Sequence, residues 1–463
     1  MSELVCPLDF RYGRPEMKTL FSEASRLRYL LEVEAALTRA HARLGHIPQE
    51  AADTVSRVAR NTDGRVRIER VKEIEAEIRH DLMAVVKALS EQCGDAGRYV
   101  HLGATSYDII DTANALQFKE ALTLVRETLV RLGVALARLA KEHRDTVMLG
   151  RTHGQMATPI TFGLKMAVFL SETLRHIERL DQTMPRMTVG KMVGPTGSGA
   201  GLGDDALELQ DAVMQDLGLT AELGATQIVQ RDRYVEMFAL LANIATSCAK
   251  FATEVRNLQR SEIDEVREAF DAKKQVGSSA MPHKQNPIVS EQVSGLSRLV
   301  RANIIPTMED AVQWHERDLA NSSAERFLNP HTLILTDWIL VKTAEVFEGL
   351  RVFPDNMQRN LERTQGLVLA ERFTVLLTEA GMGRQDAHEA TRLAAMRAID
   401  KGTDLGAELK ADPEVKKRLG AKGIDQAMDY ATYTGVSAKI VDRVLAAAKT
   451  NGVPVPEAVA WPV

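Results

Sequence analysis

From residue 226 to residue 276 the chain contains neither glycine nor proline, so no residue there forces a break in an α-helix. A single helix over most of that run would reach on the order of 70 Å, at about 1.5 Å per residue. Within it Val235, Phe238, Leu241, Ala242 and Ala245 recur at three- and four-residue spacing, and Ala249, Ala252, Val255 and Leu258 continue the stripe. Such a stripe has to be buried against other helices. Further helical stretches are expected at 109–145, 161–183, 287–305 and 332–350, which together suggest a bundle of unusually long helices. Shorter helical pieces flank it. One, over 22–44, ends near Gly45 and Pro48, and others after Pro354 are broken at glycines from Gly366 to Gly423. The expected fold is all-α in three parts: an N-terminal helical domain over 1–104, a central long-helix bundle domain over 105–356 and a C-terminal helical domain over 357–463. Helices longer than one domain leave their stripes exposed unless copies of the chain cover them, so a homo-oligomer is expected.

Composition agrees and excludes several classes. Aromatic residues make up only 5% of the chain, and its recurrent Ala, Leu, Glu and Arg are helix formers. A formal charge of −5 gives no basic footprint for a nucleic-acid polymer, so an anionic ligand must be met by a local cluster. Cys6, Cys93 and Cys248 are scattered and odd in number, which fits isolated reduced thiols and a cytoplasmic location better than a disulfide framework. The N-terminus carries Glu3, Asp9, Arg11 and Arg14, and the uncharged run 237–249 is too short to span a bilayer. Neither a signal peptide nor a membrane span is expected. The glycine-rich stretch 194–203 fits no dinucleotide or phosphate-loop spacing and reads as a connector.

Several polar segments interrupt the helical pattern. Gly277, Ser278, Ser279, Lys284 and Asn286 lie in a loop bounded by Pro282 and Pro287, which should hold the serines and the lysine clear of the flanking helices. Taken alone, that loop could equally be a polar connector. His153 sits in Gly150-Arg151-Thr152-His153-Gly154-Gln155, a polar break between two long helices. Arg79-His80-Asp81 and the run His101 to Asp108 are similar clusters near helix ends. In the latter, Thr105 and Ser106 could cap the following helix or donate to a carboxylate. Trp314 to Asp318, followed by Ser322 to Arg326, is a charged face or a binding segment. His80, His101, His153, His283 and His315 each stand alone, so no metal is expected.

Together these segments resemble the fumarase/aspartase superfamily. The likeness runs from Arg11-Tyr12-Gly13-Arg14-Pro15-Glu16-Met17 to Thr364 through Glu371 and is most specific in the loop from Gly277 to Pro287. The resemblance implies a three-domain fold of that type, no cofactor, a homotetramer with sites shared between subunits, and elimination of fumarate from a succinyl group. That chemistry removes a weakly acidic proton beside a carboxylate and needs a base, an acid and fixed donors for the developing charge. The same likeness implies Ser278 as base, His153 as the acid that protonates the leaving nitrogen, Lys284 as charge stabiliser and Glu291 as the carboxylate orienting His153. It implies substrate contacts from Arg11, Tyr12, Arg79, His80, Asp81, Thr105, Ser106, Gln227, Ser279, Asn286, Arg317, Ser322 and Arg326, for a substrate bearing a phosphate and two carboxylates. Forked and cationic donors suit such groups.

Gln285, Tyr107 and Met156 depart from the pattern, which bears on substrate fit more than on chemistry. Among superfamily relatives, a 3-carboxymuconate cycloisomerase has tryptophan where this chain has His153. Argininosuccinate lyase, fumarase and aspartase usually lack the Trp314 to Arg326 segment. A structural protein on a lyase scaffold would not need Ser278, His153, Lys284 and Glu291 together.

Overall fold

The computed structural model describes residues 4–270, 280, 281 and 283–457, and it is all-α with three minor two-stranded sheets. The first long helix, Glu23–Arg43, begins where Ser22 accepts a hydrogen bond from the Ser25 amide at 3.2 Å, a serine N-cap that satisfies one orphan donor. It ends before Gly45, as the breakers imply. Ser106–Glu142 is 37 residues long, about 55 Å. Phe162–Met187 and Ile288–Ala302 follow the expected stretches closely. Ala320–Glu348 begins earlier than expected and runs through Pro330, whose missing amide removes one backbone bond without ending the helix.

The glycine-free run behaves differently from its reading. The helix there covers only Asp232–Leu258, about 40 Å. A turn follows in which Asp264 takes a left-handed φ of 52° and the Glu265 amide donates back to the Leu258 carbonyl at 2.9 Å. Glu265 is fully buried and holds Arg151 and Asn360. The stop is therefore set by a distant salt bridge that local composition does not reveal. By length and composition this helix could cross a membrane, but 61% of its most apolar window is buried in the protein, as in a core helix.

The described chain divides into two compact units. One is drawn from residues 4–129, 176–248 and 295–341. Its core packs Leu31, Leu37, Val55, Leu89, Ile109 and Val213, from helices including Gln49–Ala59, Asp81–Gln92 and Ala206–Leu217. The other is drawn from 130–175, 249–294 and 342–457. It stacks Phe169 on Phe251 at 4.2 Å, with Phe347 edge-on to both. A separate apolar cluster, from Leu369 through Phe373 and Leu405 to Ala427, joins its short C-terminal helices.

Candidate active site

In the first unit the polar segments around Asp108, Lys191, Gln227, Arg317 and Ser322 meet at the start of the Ser106 helix. Asp108, with no solvent exposure, accepts from the Thr105 amide at 2.8 Å, reciprocating the Asp108 amide bond to the Thr105 carbonyl. The carboxylate supplies the return half of a capping box, with aspartate in the usual glutamate place, while the Thr105 carbonyl takes the place of its side chain. The other contacts of Asp108 are Lys191 at 2.5 Å and the amides of Val193 and Gly194, so the glycine-rich stretch is tied down at this point. Since the backbone does the capping, the hydroxyls of Thr105 and Ser106 make no hydrogen bond among the described residues.

Tyr107 organises three of the expected contacts. Its hydroxyl donates to Ser322 Oγ at 3.1 Å, and the Arg317 guanidinium lies 3.5 Å from its ring centroid. Burial pushes the phenol up, opposed by the Ser322 bond and the Arg317 charge. Arg317 donates through Nη1 to Gln227 at 2.8 Å, and Gln227 in turn donates to the Pro195 carbonyl. Arg317 Nε and Nη2 are buried and have no partner among the described residues. Two parallel donors left in this way form a fork shaped for a carboxylate or phosphate.

Arg326 pairs with Asp81 at 2.5 Å. His80, exposed, caps the Asp81–Gln92 helix by accepting from the Met83 amide at 3.3 Å. Arg79 ends the preceding helix with a left-handed φ of 54°. The Arg11 guanidinium sits 5.9 Å from the Tyr12 ring centroid.

In the second unit His153 occupies a β-hairpin, where the sequence suggested only a polar break. Val147–Thr152 pairs antiparallel with Gln155–Thr161, and Thr152 faces Gln155 across a two-residue loop. His153 and Gly154 take φ of 53° and 73°, the signature of a type I′ turn that matches strand twist. The imidazole is thereby presented at an exposed tip. The hairpin is anchored one pair below its tip, where Arg151, which faces Met156, makes a two-point salt bridge to Glu265 at 2.8 and 3.0 Å.

Lys284 and Glu291 are also exposed, Glu291 in the first turn of Ile288–Ala302. That helix start is fixed by Glu268, which accepts from the Val289 and Ser290 amides. Asn286 lies just before it. No hydrogen bond joins Glu291 to His153 among the described residues. Ser278 and Ser279 lie outside the described residues. No grouping of His, Cys, Asp or Glu among the described residues is suited to a metal.

Sequence reasoning missed Tyr107, taken only as a departure, along with Asp108, Lys191, Arg151 and Glu265 as organisers. Tyr107, Asp108 and Arg151 lie in polar segments that stand out locally, but their partners lie 83 to 215 residues away along the chain, so no local signal reveals what they organise.

The helical fold, these polar clusters and a match to a lyase family model place the chain among the lyases. A lyase family model matches residues 9–302, and a model described as the adenylosuccinate lyase C-terminus matches 366–444. Adenylosuccinate lyase from Pyrococcus abyssi is 51% identical over 95% of this chain and 97% of its own length. That from Methanothermobacter thermautotrophicus is 47% identical over 95% and 98%. Among solved structures, a fumarate lyase from a Mesorhizobium species superposes with a TM-score of 0.86 at 33% identity, covering 94% of this chain and 98% of that one. The 3-carboxy-cis,cis-muconate lactonizing enzyme from Pseudomonas putida gives 0.87 at 33% identity, covering 96% and 99%. The chain belongs to the adenylosuccinate lyase family.

Proposed function

We propose that this carbon–nitrogen lyase cleaves adenylosuccinate to AMP and fumarate, and the succinyl-carboxamide ribotide SAICAR to AICAR and fumarate, in purine nucleotide synthesis. In each case a base takes a proton from the succinyl carbon beside a carboxylate. The pair of electrons left behind forms the fumarate double bond as the neighbouring C–N bond breaks, and an acid protonates the departing nitrogen. Ser278 is the base, His153 the acid, Lys284 the cation facing the developing charge and Glu291 the carboxylate that orients His153. Arg317 supplies a forked donor to a substrate carboxylate or phosphate. Thr105, Ser106, Gln227, Ser279, Asn286 and Ser322 supply neutral contacts. Arg11, Tyr12, Arg79, His80 and Arg326 bind the remaining charged groups, and Asp81, an acceptor, contacts a donor group of the substrate. The observation that carries the reading is near-full-length identity to adenylosuccinate lyases, together with His153 at the hairpin tip.

The working enzyme is a cytoplasmic homotetramer in this reading, with each site assembled from several subunits. Leu299, Ile305, Val312, Trp314, Leu319 and Phe327, all strongly exposed, give copies an apolar surface to cover. The three-domain division at 104 and 356 belongs to the same reading, supported by the separate C-terminal cluster.

A cycloisomerase acting on carboxymuconate is the second reading, favoured by structural likeness and opposed by His153. Purified protein assayed spectrophotometrically should convert adenylosuccinate to AMP and fumarate. Turnover of carboxymuconate or argininosuccinate in its place would overturn the assignment. His153→Ala and Ser278→Ala should each lower kcat by about 10²–10⁴-fold, and wild-type rates in either would remove that residue from the chemistry.

A further inference from the structure

The loop from His101 to Thr105 leads into two of the expected substrate contacts, and the Glu23–Arg43 helix grips it at two points. Glu34 and His41, seven residues apart, lie on one face of that helix. Glu34, buried, pairs with His101 Nδ1 at 2.7 Å, where His101 holds a left-handed φ of 64°. His41, also buried, meets the Leu102 carbonyl through Nε2 at 3.0 Å. The contact does not end there. His41 Nδ1 lies 2.9 Å from His46 Nδ1, and His46 Nε2 lies 2.8 Å from Asp205 Oδ2. Asp205 closes the glycine-rich stretch, which itself presses on the loop. At Gly103, φ is 71° and a Cβ would come within 2.6 Å of the Gly201 carbonyl.

Counting protons along this chain of contacts fixes its state. A carbonyl accepts only, so His41 Nε2 carries hydrogen, and Nδ1 of a neutral His41 is an acceptor. His46 Nδ1 must then donate. Its Nε2 faces a carboxylate and must donate as well. All three contacts are satisfied only when the two rings share three protons, a single positive charge opposite Asp205. With two protons, either two lone pairs meet between the rings or one meets the carboxylate. With four, two N–H groups face each other. Burial and the neighbouring His46 charge hold His41 below the ordinary histidine range, which keeps it the neutral member. The titratable groups facing the relay are His41, His46 and Asp205, and those facing His101 are Glu34 and Asp108.

We infer that His41, His46 and Asp205 are positioning residues that hold the 101–105 loop in its substrate-binding geometry through one shared proton, making substrate affinity fall as pH rises and that proton is lost. The part concerning substrate rests on the proposed function. The part concerning the loop does not.

The test is the ratio of variant to wild-type KM for adenylosuccinate between about pH 6 and 9, the range of histidine titration, so that ionisation of the reacting groups cancels. At the acid end His46→Phe and Asp205→Asn should raise KM roughly tenfold, the loss of about one charge-assisted bond, with kcat within about twofold. At the alkaline end the ratio should approach one. Ring-nitrogen NMR of the wild type should show His41 protonated at Nε2 throughout and His46 doubly protonated at the acid end. Amide hydrogen-exchange protection at Gly103 to Thr105, corrected at each pH for the intrinsic base-catalysed rate, should fall with pH in the wild type and be low at every pH in His46→Phe. Wild-type KM and exchange in both variants, or an unprotonated His41 Nε2, would overturn the inference. A wild type that is inactive on adenylosuccinate yet shows the exchange pattern would overturn the functional reading and leave the relay standing.

Discussion

Left-handed backbone at a residue other than glycine costs on the order of 1–3 kcal/mol and persists where surrounding structure enforces it, often at functional sites. Arg79, His101, His153 and His315 adopt it here, and each lies in a polar segment associated with the candidate site. At His153 the hairpin enforces the strain. Strain is also electrostatic in this chain. Asp310 has a buried Oδ2 without a partner among the described residues, and burial, reinforced by Glu325, pushes its carboxyl up to about 6. The group is raised in the folded state, so its stabilising contribution is whole below the ordinary aspartate range and is lost as pH rises through about 6. Asp310→Asn should therefore gain thermal stability over the wild type at pH values above that point and lose the advantage well below it, as melting curves across the range would show. An unchanged difference would mean that Asp310 is ionised throughout.

At the scale of elements, Arg231 marks where three long helices are fastened. Fully buried, it binds Asp111 of the Ser106 helix at 2.8 Å and Glu325 of the Ala320 helix at 2.6 Å, while preceding the Asp232 helix itself. Arg231→Leu would strand two buried carboxylates and should cost about 3–5 kcal/mol, read by urea unfolding. A loss under about 1 kcal/mol would show that water or protonation relieves them.

Elements of this kind were partly legible. Ser22, Gly45 and Pro48 announce the ends of the first long helix because its cap and stop are local. Apolar spacing announces the long helices because burial imposes it. The hairpin around His153 was not legible as strands, because its short pairing lies between two strong helical patterns. The halt at Leu258 depends on Glu265 reaching Arg151 and Asn360, which no nearby residue encodes. The site divides in the same way. His153 and Arg317 stood out as polar interruptions, whereas Lys191 sits inside ordinary-looking sequence, and Tyr107, though within a polar cluster, shows its role only through Ser322 and Arg317 far along the chain.

At the scale of the whole molecule, the chemistry as proposed belongs to no single chain. His153→Ala and Ser278→Ala proteins, each inactive alone, should regain part of the activity when mixed and allowed to exchange subunits, since some hybrid sites receive both intact groups. Verified exchange without recovery would argue that every site is built from one chain. The exposed apolar side chains from Leu299 to Phe327 also carry a consequence for handling the enzyme. If other copies cover them, activity obeys mass action: the rate per chain should hold steady at high protein concentration and fall on dilution, as assembled sites come apart faster than they re-form. Such an enzyme would look poor in a dilute cuvette and efficient in a crowded cell.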